Sequence, residues 1–349
     1  MAYTNVKKIF AQVGAEAVLT EPADLRQYLT GFESSFGYVL SDKNGSVFYT
    51  DPRYLEAASS ALEGSDVSVK IFEGSLENLL KPYKTVAVPL SRTSYPEWKR
   101  LAYAGLQVID SESAFVNAMS VKQQYELDLI KSACEITDKA FVSLLSVIKE
   151  GISENDLAAE LEYLMRKYGA SGTSFSTIAC FGENSSVPHH ETGMRKLKFG
   201  DIILVDFGCK VGGYCSDCTR TFLFGDDKKH EDFKKAYGHV FNAHMLVKEK
   251  VTSGMTGRQA DAIARDYLSA HGLGKYFSHS LGHGIGINIH EFPRLSAKSE
   301  DVLVDGMVFS DEPGVYFEGD FGIRIEDTVT LERGAALSLT DSDKKLLIL

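Results

Sequence analysis

Two acidic residues lie inside apolar runs that resemble buried strands, and this placement constrains the fold more than any other feature of the chain. Asp206 lies in the run Ile202–Phe207, and Glu326 lies in the run Ile323–Val329. An ionised carboxylate is costly to bury unless an opposite charge compensates it. A bound cation is the natural compensation, so we expect the chain to fold around a metal site.

Three further acids or imidazoles lie in strand-like or glycine-rich settings: Asp217 in Cys215–Arg220, His283 in Leu281–Gly286, and Glu312 before Pro313-Gly314. Four carboxylates and one neutral imidazole carry about four negative charges, which two divalent ions nearly cancel. Mixed oxygen and nitrogen ligands favour Mn, Co, Zn or Fe over a structural thiolate zinc site. Two such ions, ~3.5–4 Å apart, generate hydroxide and polarise a carbonyl, as amide hydrolysis requires.

Each residue alone also has a simpler interpretation. Asp206 could form a turn before Gly208, and His283 could be a loop histidine near a phosphate. The order and spacing of all five residues together favour the dinuclear site.

The length of 349 residues suits two domains, and the pattern of the sequence changes near Val121. Before that point, short β-rich runs alternate with helical patterns, which is typical of a sheet covered by helices. After it, Gln123–Lys149 repeats apolar residues at helical spacing without Pro or Gly. We therefore predict an α/β (α+β) protein with an N-terminal domain over 1–118 and a catalytic domain over 119–349.

The predicted elements follow the same patterns. In the first domain the strands are Tyr38–Leu40, Val47–Tyr49, Val67–Phe72 and Val86–Val88, and the helices are Asn5–Val13, Pro52–Leu62, Leu76–Leu80 and Pro96–Ala104. In the second domain Ser153 is expected to cap a helix through Arg166, followed by strands Ile202–Cys209 and Gly213–Phe224, helices Asp232–Lys250 and Arg258–His271, and strands again from Leu281. Asn44-Gly45 predicts a hairpin turn between the first two strands.

Composition excludes several classes of protein. A net charge of -11 without a basic run argues against binding to nucleic acid or to anionic lipid. No apolar run approaches the ~20 residues of a membrane-spanning helix. No apolar stretch near the start resembles a secretory signal, and five cysteines indicate reduced thiols. These features predict a cytoplasmic protein.

Several motifs, in order, resemble the pita-bread family of metallopeptidases, which includes prolidase, aminopeptidase P, methionine aminopeptidase and creatinase. They are the Asp206 and Asp217 pair, Ser280–Gly286, Ile289–Pro293, Glu312–Tyr316 and Gly322–Asp327. The resemblance implies a pita-bread catalytic domain that holds its metals on the concave face of a curved sheet. It covers nearly the whole chain, and it is highly specific.

The resemblance also implies roles for the five ligands. Asp206 chelates one ion, His283 and Glu312 bind the other, and Asp217 and Glu326 bridge them. The ions are two divalent metals, Mn, Co or Zn, with Mn favoured.

Further residues match positions near the substrate. His189 corresponds to the catalytic histidine of the family, and His279 and His290 to donors that stabilise the tetrahedral intermediate. Glu312 is also the expected general base. Tyr316 and Arg324 match positions that support the metals or contact substrate, the arginine through its fork of donors.

The N-terminal half resembles the small domain of prolidase, aminopeptidase P and creatinase, on Tyr28–Phe32 and Thr50–Tyr54. Methionine aminopeptidase lacks that domain, and creatinase lacks the full set of metal ligands. The substrates implied are small proline-containing peptides. Arg294 resembles the arginine that binds the dipeptide carboxylate in prolidases, which favours an Xaa-Pro dipeptidase; an Xaa-Pro aminopeptidase and a catalytically inactive binding protein are the alternatives. Family precedent also implies a homodimer.

Some residues are expected to stand outside the site. His190 is interpreted as a bystander, and Asp311, where the family has an uncharged residue, is expected to face away from the metals if its strand is regular. The histidines expected to be solvated on surface helices are His230, His239, His244 and His271.

Overall fold

The computed structural model describes residues 5–226 and 230–349, and its chain forms two compact units, Met1–Met119 and Ser120–Leu349. Each unit combines helices with β-sheet, so the predicted α/β class is confirmed. The predicted division was 1–118 and 119–349.

The first unit contains one mixed six-stranded sheet with the strand order β4-β3-β2-β1-β5-β6. Its strands are β1 (Ala17–Thr20), β2 (Tyr38–Asp42), β3 (Gly45–Thr50), β4 (Val67–Ile71), β5 (Thr85–Val88) and β6 (Gln107–Asp110). The helices are α1 (Asn5–Gln12), α2 (Ala23–Thr30), α3 (Leu55–Ala61), α4 (Leu76–Leu80), α5 (Tyr95–Tyr103) and α6 (Glu112–Ser120).

The hairpin between β2 and β3 forms where Asn44-Gly45 predicts it. Asp42 pairs with Gly45, whose φ of 139° is open to glycine, and Asp42 Oδ1 accepts a hydrogen bond of 2.7 Å from Asn44 N. The prediction missed β1, β6, α2 and α6, since their short apolar segments lack a clear period.

Helices of the second unit begin with caps. Its helices are α7 (Gln124–Leu144), α8 (Glu154–Lys167), α9 (Glu231–Lys250) and α10 (Gly257–Ala270). The Ser153 side chain accepts from Asp156 N and the Asp156 carboxylate accepts from Ser153 N, a reciprocal cap as predicted. Helix α7 ends before the predicted Lys149.

Strands of the second unit form small sheets, ordered β12-β9-β8, β11-β10-β7, β14-β13-β15-β18-β19 and β16-β17. The strands are β7 (Gly172–Thr173), β8 (Ile178–Phe181), β9 (Asp201–Phe207), β10 (Cys209–Val211), β11 (Tyr214–Cys215), β12 (Cys218–Phe224), β13 (Gly282–Gly284), β14 (Glu291–Leu295), β15 (Val308–Asp311), β16 (Gly314–Phe317), β17 (Phe321–Arg324), β18 (Asp327–Glu332) and β19 (Ala335–Ser338).

Two strands predicted as continuous are interrupted, and both predictions were wrong in this respect. Gly208 separates β9 from β10, and a Cβ there would lie 2.0 Å from Ser216 O, so the backbones approach too closely for any other residue. Ser216 and Asp217 separate β11 from β12. The second break places Asp217 outside regular strand pairing.

Two apolar cores lie between helices and sheets of the second unit. Helices α9 and α10 contribute to a core that includes Phe309 and Val329, and α7 and α8 to a core that includes Phe207. The helices therefore cover one face of the strands and leave the other face to the polar residues described below.

The prediction that His230 and His244 are solvated was wrong. His230 is 3% exposed and bonds Gly200 O at 3.0 Å, and His244 is 0% exposed. His244 shares a buried face of α9 with Val240 and Val247, at helical spacing. His239 is partly exposed and His271 is exposed, as expected.

All five cysteines are buried and free of disulfides. Among the described residues, no helix is both long and apolar enough to cross a bilayer.

Candidate metal centre

Five different segments of the second unit bring the predicted ligands to one place. Asp206 lies near the end of β9, Asp217 in the break before β12, and His283 in the middle of β13. Glu312 follows β15, and Glu326 lies between β17 and β18. All five line one cleft of about 470 Å³.

Three of these side chains have ligand atoms within 4.8 Å of one another: Asp217, His283 and Glu326. His283 Nε2 lies 3.6 Å from Asp217 Oδ2 and 3.5 Å from Glu312 Oε1. One nitrogen and several carboxylate oxygens thus converge around a common point.

His283 has the tautomer that a metal ligand needs. Its Nδ1 donates to the carbonyl of Gly284 at 3.1 Å, which leaves a lone pair on Nε2 facing the carboxylates. Burial, with the nearby His290, lowers the pKa of His283 to about 4, so the imidazole is neutral at pH 7.

The carboxylates repel one another. Burial, followed by the charges of neighbouring carboxylates, raises the pKa of both Asp217 and Glu326 well above their usual range. Burial likewise raises the pKa of Glu312 to about 8, although Arg324 opposes it. Positive charge placed among these groups relieves both effects.

Asp206 supplies a second indication that a cation belongs here. Its Oδ2 accepts a hydrogen bond of 2.7 Å from Arg324 Nη2, while its buried Oδ1 has no hydrogen-bond partner among the described residues. Buried carboxylate oxygens are nearly always paired. The donor set of four carboxylates and a neutral imidazole therefore fits divalent metal ions.

Arg324 organises the wall behind the carboxylates. Besides Asp206, it donates to Tyr316 Oη at 2.6 Å and to Thr219 Oγ1 at 2.9 Å. Thr219 in turn donates to Glu326 Oε2 at 2.6 Å. The donors of Arg324 bond protein groups, so the arginine orients the carboxylates of Asp206 and, through Thr219, Glu326.

Ser310 links two of the predicted ligands. Its hydroxyl donates to Glu312 Oε1 at 3.0 Å and accepts from the backbone N–H of His283 at 3.0 Å. Because Ser310 and Glu312 are two apart at the end of β15, they lie on the same face.

The predicted catalytic histidines lie around the same cleft: His189, His279 and His290. His279 Nδ1 donates to Ser280 O at 2.8 Å, and its Nε2 lies 3.1 Å from Tyr316 Oη. Burial lowers the pKa of His279 to about 4, so the ring is neutral and accepts from the tyrosine. His189 and His290 are exposed to the cleft.

His190 also lines the cleft, although the sequence suggested a bystander. Its Nε2 lies 3.0 Å from Glu154 Oε2. The fully buried Glu154 also accepts from the backbone N–H groups of Phe181 and Gly193, at 2.8 and 3.1 Å. Glu154 thereby fixes the segment that carries His189.

Two predicted substrate-binding residues do not line the cleft. Tyr316 is buried behind it, against His279 and Arg324. Arg294 is exposed on β14, with its guanidinium 5.2 Å from the centre of the Phe292 ring.

Sequence reasoning did not identify Thr219, Ser310 or Glu154 as part of the site. Thr219 lies two residues after Asp217, and Ser310 lies two before Glu312, so strand alternation could have placed both beside the ligands. Glu154 had no such pattern, because its role depends on the path of a distant loop.

Comparison with known proteins matches both units. A family model described as metallopeptidase family M24 matches residues 128–333, and one described as creatinase/prolidase N-terminal domain matches residues 3–118.

Similar proteins cover almost the same length. An Xaa-Pro dipeptidase from Pyrococcus furiosus is 34% identical over 89% of each chain. The structure of an Xaa-Pro dipeptidase from Bacillus anthracis superposes with a TM-score of 0.92 at 33% identity, covering 99% of each chain. That of an X-Pro aminopeptidase from Thermotoga maritima has a TM-score of 0.90 at 32% identity, covering 97% of this chain and 99% of the other.

Proposed function

Because the chain belongs to metallopeptidase family M24, we propose that it uses two divalent metal ions to hydrolyse the peptide bond between an N-terminal residue and proline. We favour Xaa-Pro dipeptides as its substrates. The observation that carries this proposal is that ligand atoms of Asp217, His283 and Glu326 lie within 4.8 Å of one another. Glu312 lies beside them, as does Asp206, whose Oδ1 has no hydrogen-bond partner among the described residues.

The proposed ligands are Asp206, Asp217, His283, Glu312 and Glu326, with manganese as the expected metal. Bound ions would supply a nucleophilic water at neutral pH and polarise the scissile carbonyl. Mutual repulsion among the carboxylates makes the ligand set avid for cations, and the neutral His283 adds a nitrogen donor without adding charge.

The remaining steps belong to side chains. Glu312 accepts the proton of the attacking water and delivers it to the proline nitrogen, and Ser310 holds the carboxylate in place during this transfer. His189 and His290, exposed in the cleft, donate hydrogen bonds to the substrate carbonyl as negative charge develops on its oxygen. His279 and Tyr316 bond each other and Arg324, and these three fix the wall of the cleft.

Relatives and structural neighbours of both specificities support the proline preference but not the length of the peptide. One similar structure is that of an Xaa-Pro dipeptidase, with a TM-score of 0.92, and another is that of an X-Pro aminopeptidase, with a TM-score of 0.90. The dipeptidase is favoured because Arg294, exposed one residue beyond Pro293, can bind the free carboxylate of a dipeptide. The aminopeptidase is the alternative, because Arg294 does not line the cleft.

A peptide panel separates the candidates. Xaa-Pro dipeptides and Xaa-Pro-Xaa tripeptides are assayed with added Mn, Co or Zn, using wild type, Arg294→Ala and the exposed control Lys298→Ala. A dipeptidase is expected to cleave dipeptides faster than tripeptides. Its KM for dipeptides should rise in Arg294→Ala and stay unchanged in Lys298→Ala. Tripeptide hydrolysis as fast as dipeptide hydrolysis would favour the aminopeptidase. No hydrolysis with any metal would favour a binding protein.

Two further proposals concern assembly and location. We propose a homodimer, which sedimentation velocity tests directly. Five buried thiols without disulfides suit a reducing compartment, in agreement with a cytoplasmic location.

A further inference from the structure

Two buried aspartates lie directly behind the metal-ligand candidates. Asp311 precedes Glu312 and Asp327 follows Glu326, and the two aspartates are direct partners across β15 and β18. Both are 0% exposed. Like charges directly opposite one another in an antiparallel pair destabilise it, and burial strengthens the repulsion.

Asp327 is compensated by its own cations. Its Oδ1 accepts from Arg220 Nη2 at 2.9 Å, and its Oδ2 lies 3.1 Å from Lys344 Nζ. Arg220 is itself buried and also donates to Glu326 O. Arg220 and Lys344 therefore offset the charge of Asp327 through direct contacts.

Asp311 depends on a different residue. His244, on α9, places Nδ1 3.0 Å from Asp311 Oδ2 and Nε2 3.4 Å from Asp327 Oδ2. Neither contact has the angles of a hydrogen bond, so the attraction is between charges. His244 is the cation in direct contact with Asp311 among the described residues, while Lys248 adds a weaker attraction.

The charge of His244 follows from its two neighbours. A neutral imidazole would leave one unprotonated ring nitrogen beside a carboxylate, and neither group could donate to the other when the carboxylate is ionised. Burial disfavours the charged ring, but Asp311 and then Asp327 raise the pKa of His244 to about 9. The ring is therefore an imidazolium at neutral pH.

We propose that His244 is a positioning residue whose imidazolium clamps Asp311 to Asp327 and thereby fixes the spacing of Glu312 and Glu326 on the opposite face. The second step of this inference rests on the proposed metal site. Glu312 and Glu326 each adjoin a clamped residue, so a shift of β15 against β18 would change the spacing of these two proposed ligands. Outer residues that orient ligands commonly control metal affinity by about 10–100-fold.

A cycle of variants tests the clamp: His244→Gln, Asp311→Asn, and both together. Mn²⁺ affinity is measured by isothermal titration without substrate, and kcat and KM are measured for an Xaa-Pro dipeptide. We expect His244→Gln to weaken Mn²⁺ binding about tenfold or more and to lower kcat with little change in KM. Adding Asp311→Asn removes the uncompensated charge and should restore most of the affinity. The control is His239→Gln, on the partly exposed face of the same helix, which should match wild type.

The outcomes separate the clamp from the metal site. Wild-type Mn²⁺ affinity in His244→Gln would overturn the positioning role, and failure of Asp311→Asn to rescue it would overturn the charge mechanism. If wild type itself bound no divalent ion, the proposed function would fail. Unfolding of the metal-free variants would still decide the clamp: the double variant must be more stable than His244→Gln, and equal or lower stability contradicts it.

Discussion

Buried carboxylates on the core face and on the cleft face of the same strand ends have different surroundings. On the core face, Asp311 lies against His244 and Asp327 against Arg220. Burial still raises the pKa of Asp311 although His244 opposes it, whereas the nearby cations, Arg220 first, hold the pKa of Asp327 well below its usual range despite burial. On the cleft face, burial and mutual repulsion raise the pKa values of Asp217 and Glu326. The comparison indicates that the negative charge of the core-face aspartates is balanced by protein side chains. The negative charge of the cleft-face carboxylates is not balanced in this way, so these groups can bind exchangeable metal ions.

Strand geometry explains how adjacent residues reach such different surroundings. Successive side chains of a strand point to opposite faces. In Asp311-Glu312 and Glu326-Asp327, one acid of each pair therefore enters the cleft and the other enters the core beneath α9. Asp311 faces away from the metal-ligand candidates, as we expected for a regular strand.

The largest difference between the faces should appear when one acid on each is neutralised. Asp217→Asn removes a proposed bridging ligand and should lower kcat/KM by at least about a thousandfold while abolishing binding of the ion pair. Asp311→Asn keeps every ligand and should cost about tenfold or less. Peptidase assays and metal analysis of both purified variants make the comparison, and Glu326→Gln should behave like Asp217→Asn. Full activity in Asp217→Asn would contradict the bridging role.

Removal of metal should destabilise the cleft face specifically. At an ion concentration one hundred times Kd, binding adds about 2.7 kcal/mol, so a chelator should lower the Tm of wild type by about 5–10 °C. Asp217→Asn should show little response, since its site is incomplete. Scanning calorimetry with and without chelator measures both shifts. Equal shifts in the two proteins would mean that the stabilising ion binds elsewhere.

The sequence allowed more of the functional residues to be predicted on the cleft face than on the core face. The five predicted ligands could be identified because their order and spacing together match the motifs of the pita-bread family, although each residue alone has a simpler interpretation. The structure brings all five to one cleft: Asp206, Asp217, His283, Glu312 and Glu326.

The clamp could not be nominated in the same way. His244 lies in an amphipathic helix that resembles a surface helix, and its partners Asp311 and Asp327 are about 70 and 80 residues away along the chain. Its burial was still available from the spacing of Val240 and Val247. The pairing with Asp311 required the fold, because nothing local specifies which strand lies beneath which turn of a helix.

The core face should respond to pH through His244. Its pKa in the folded chain is about 9, above the ordinary value of about 6.5, so its contribution to stability is complete below pH 6.5 and is lost as pH rises through 9. The charged groups around it are Asp311, Asp327 and Lys248, with Arg220 and Lys344 bound to Asp327. The difference in unfolding free energy between metal-free wild type and His244→Gln should therefore be larger at pH 6 than at pH 9.5. Urea titrations at both pH values measure it, and a difference that grows with pH would show that the ring is neutral in the folded protein.

Ser310 provides the smallest and sharpest test, because it lies on the cleft face of β15 beside Glu312. Its hydroxyl joins the Glu312 carboxylate to the backbone of His283, so Ser310→Ala removes one hydrogen bond to a charged group and one to an amide. We expect a loss of about 1–2 kcal/mol, which is a roughly tenfold fall in Mn²⁺ affinity or in kcat/KM. Ser41→Ala, which removes a buried hydroxyl bonded to Ser46 in the first unit, should lower stability without changing metal affinity. If both alanine variants lowered only stability, Ser310 would not orient Glu312. The position of Glu312 would then depend on the core face alone, through the clamp at His244.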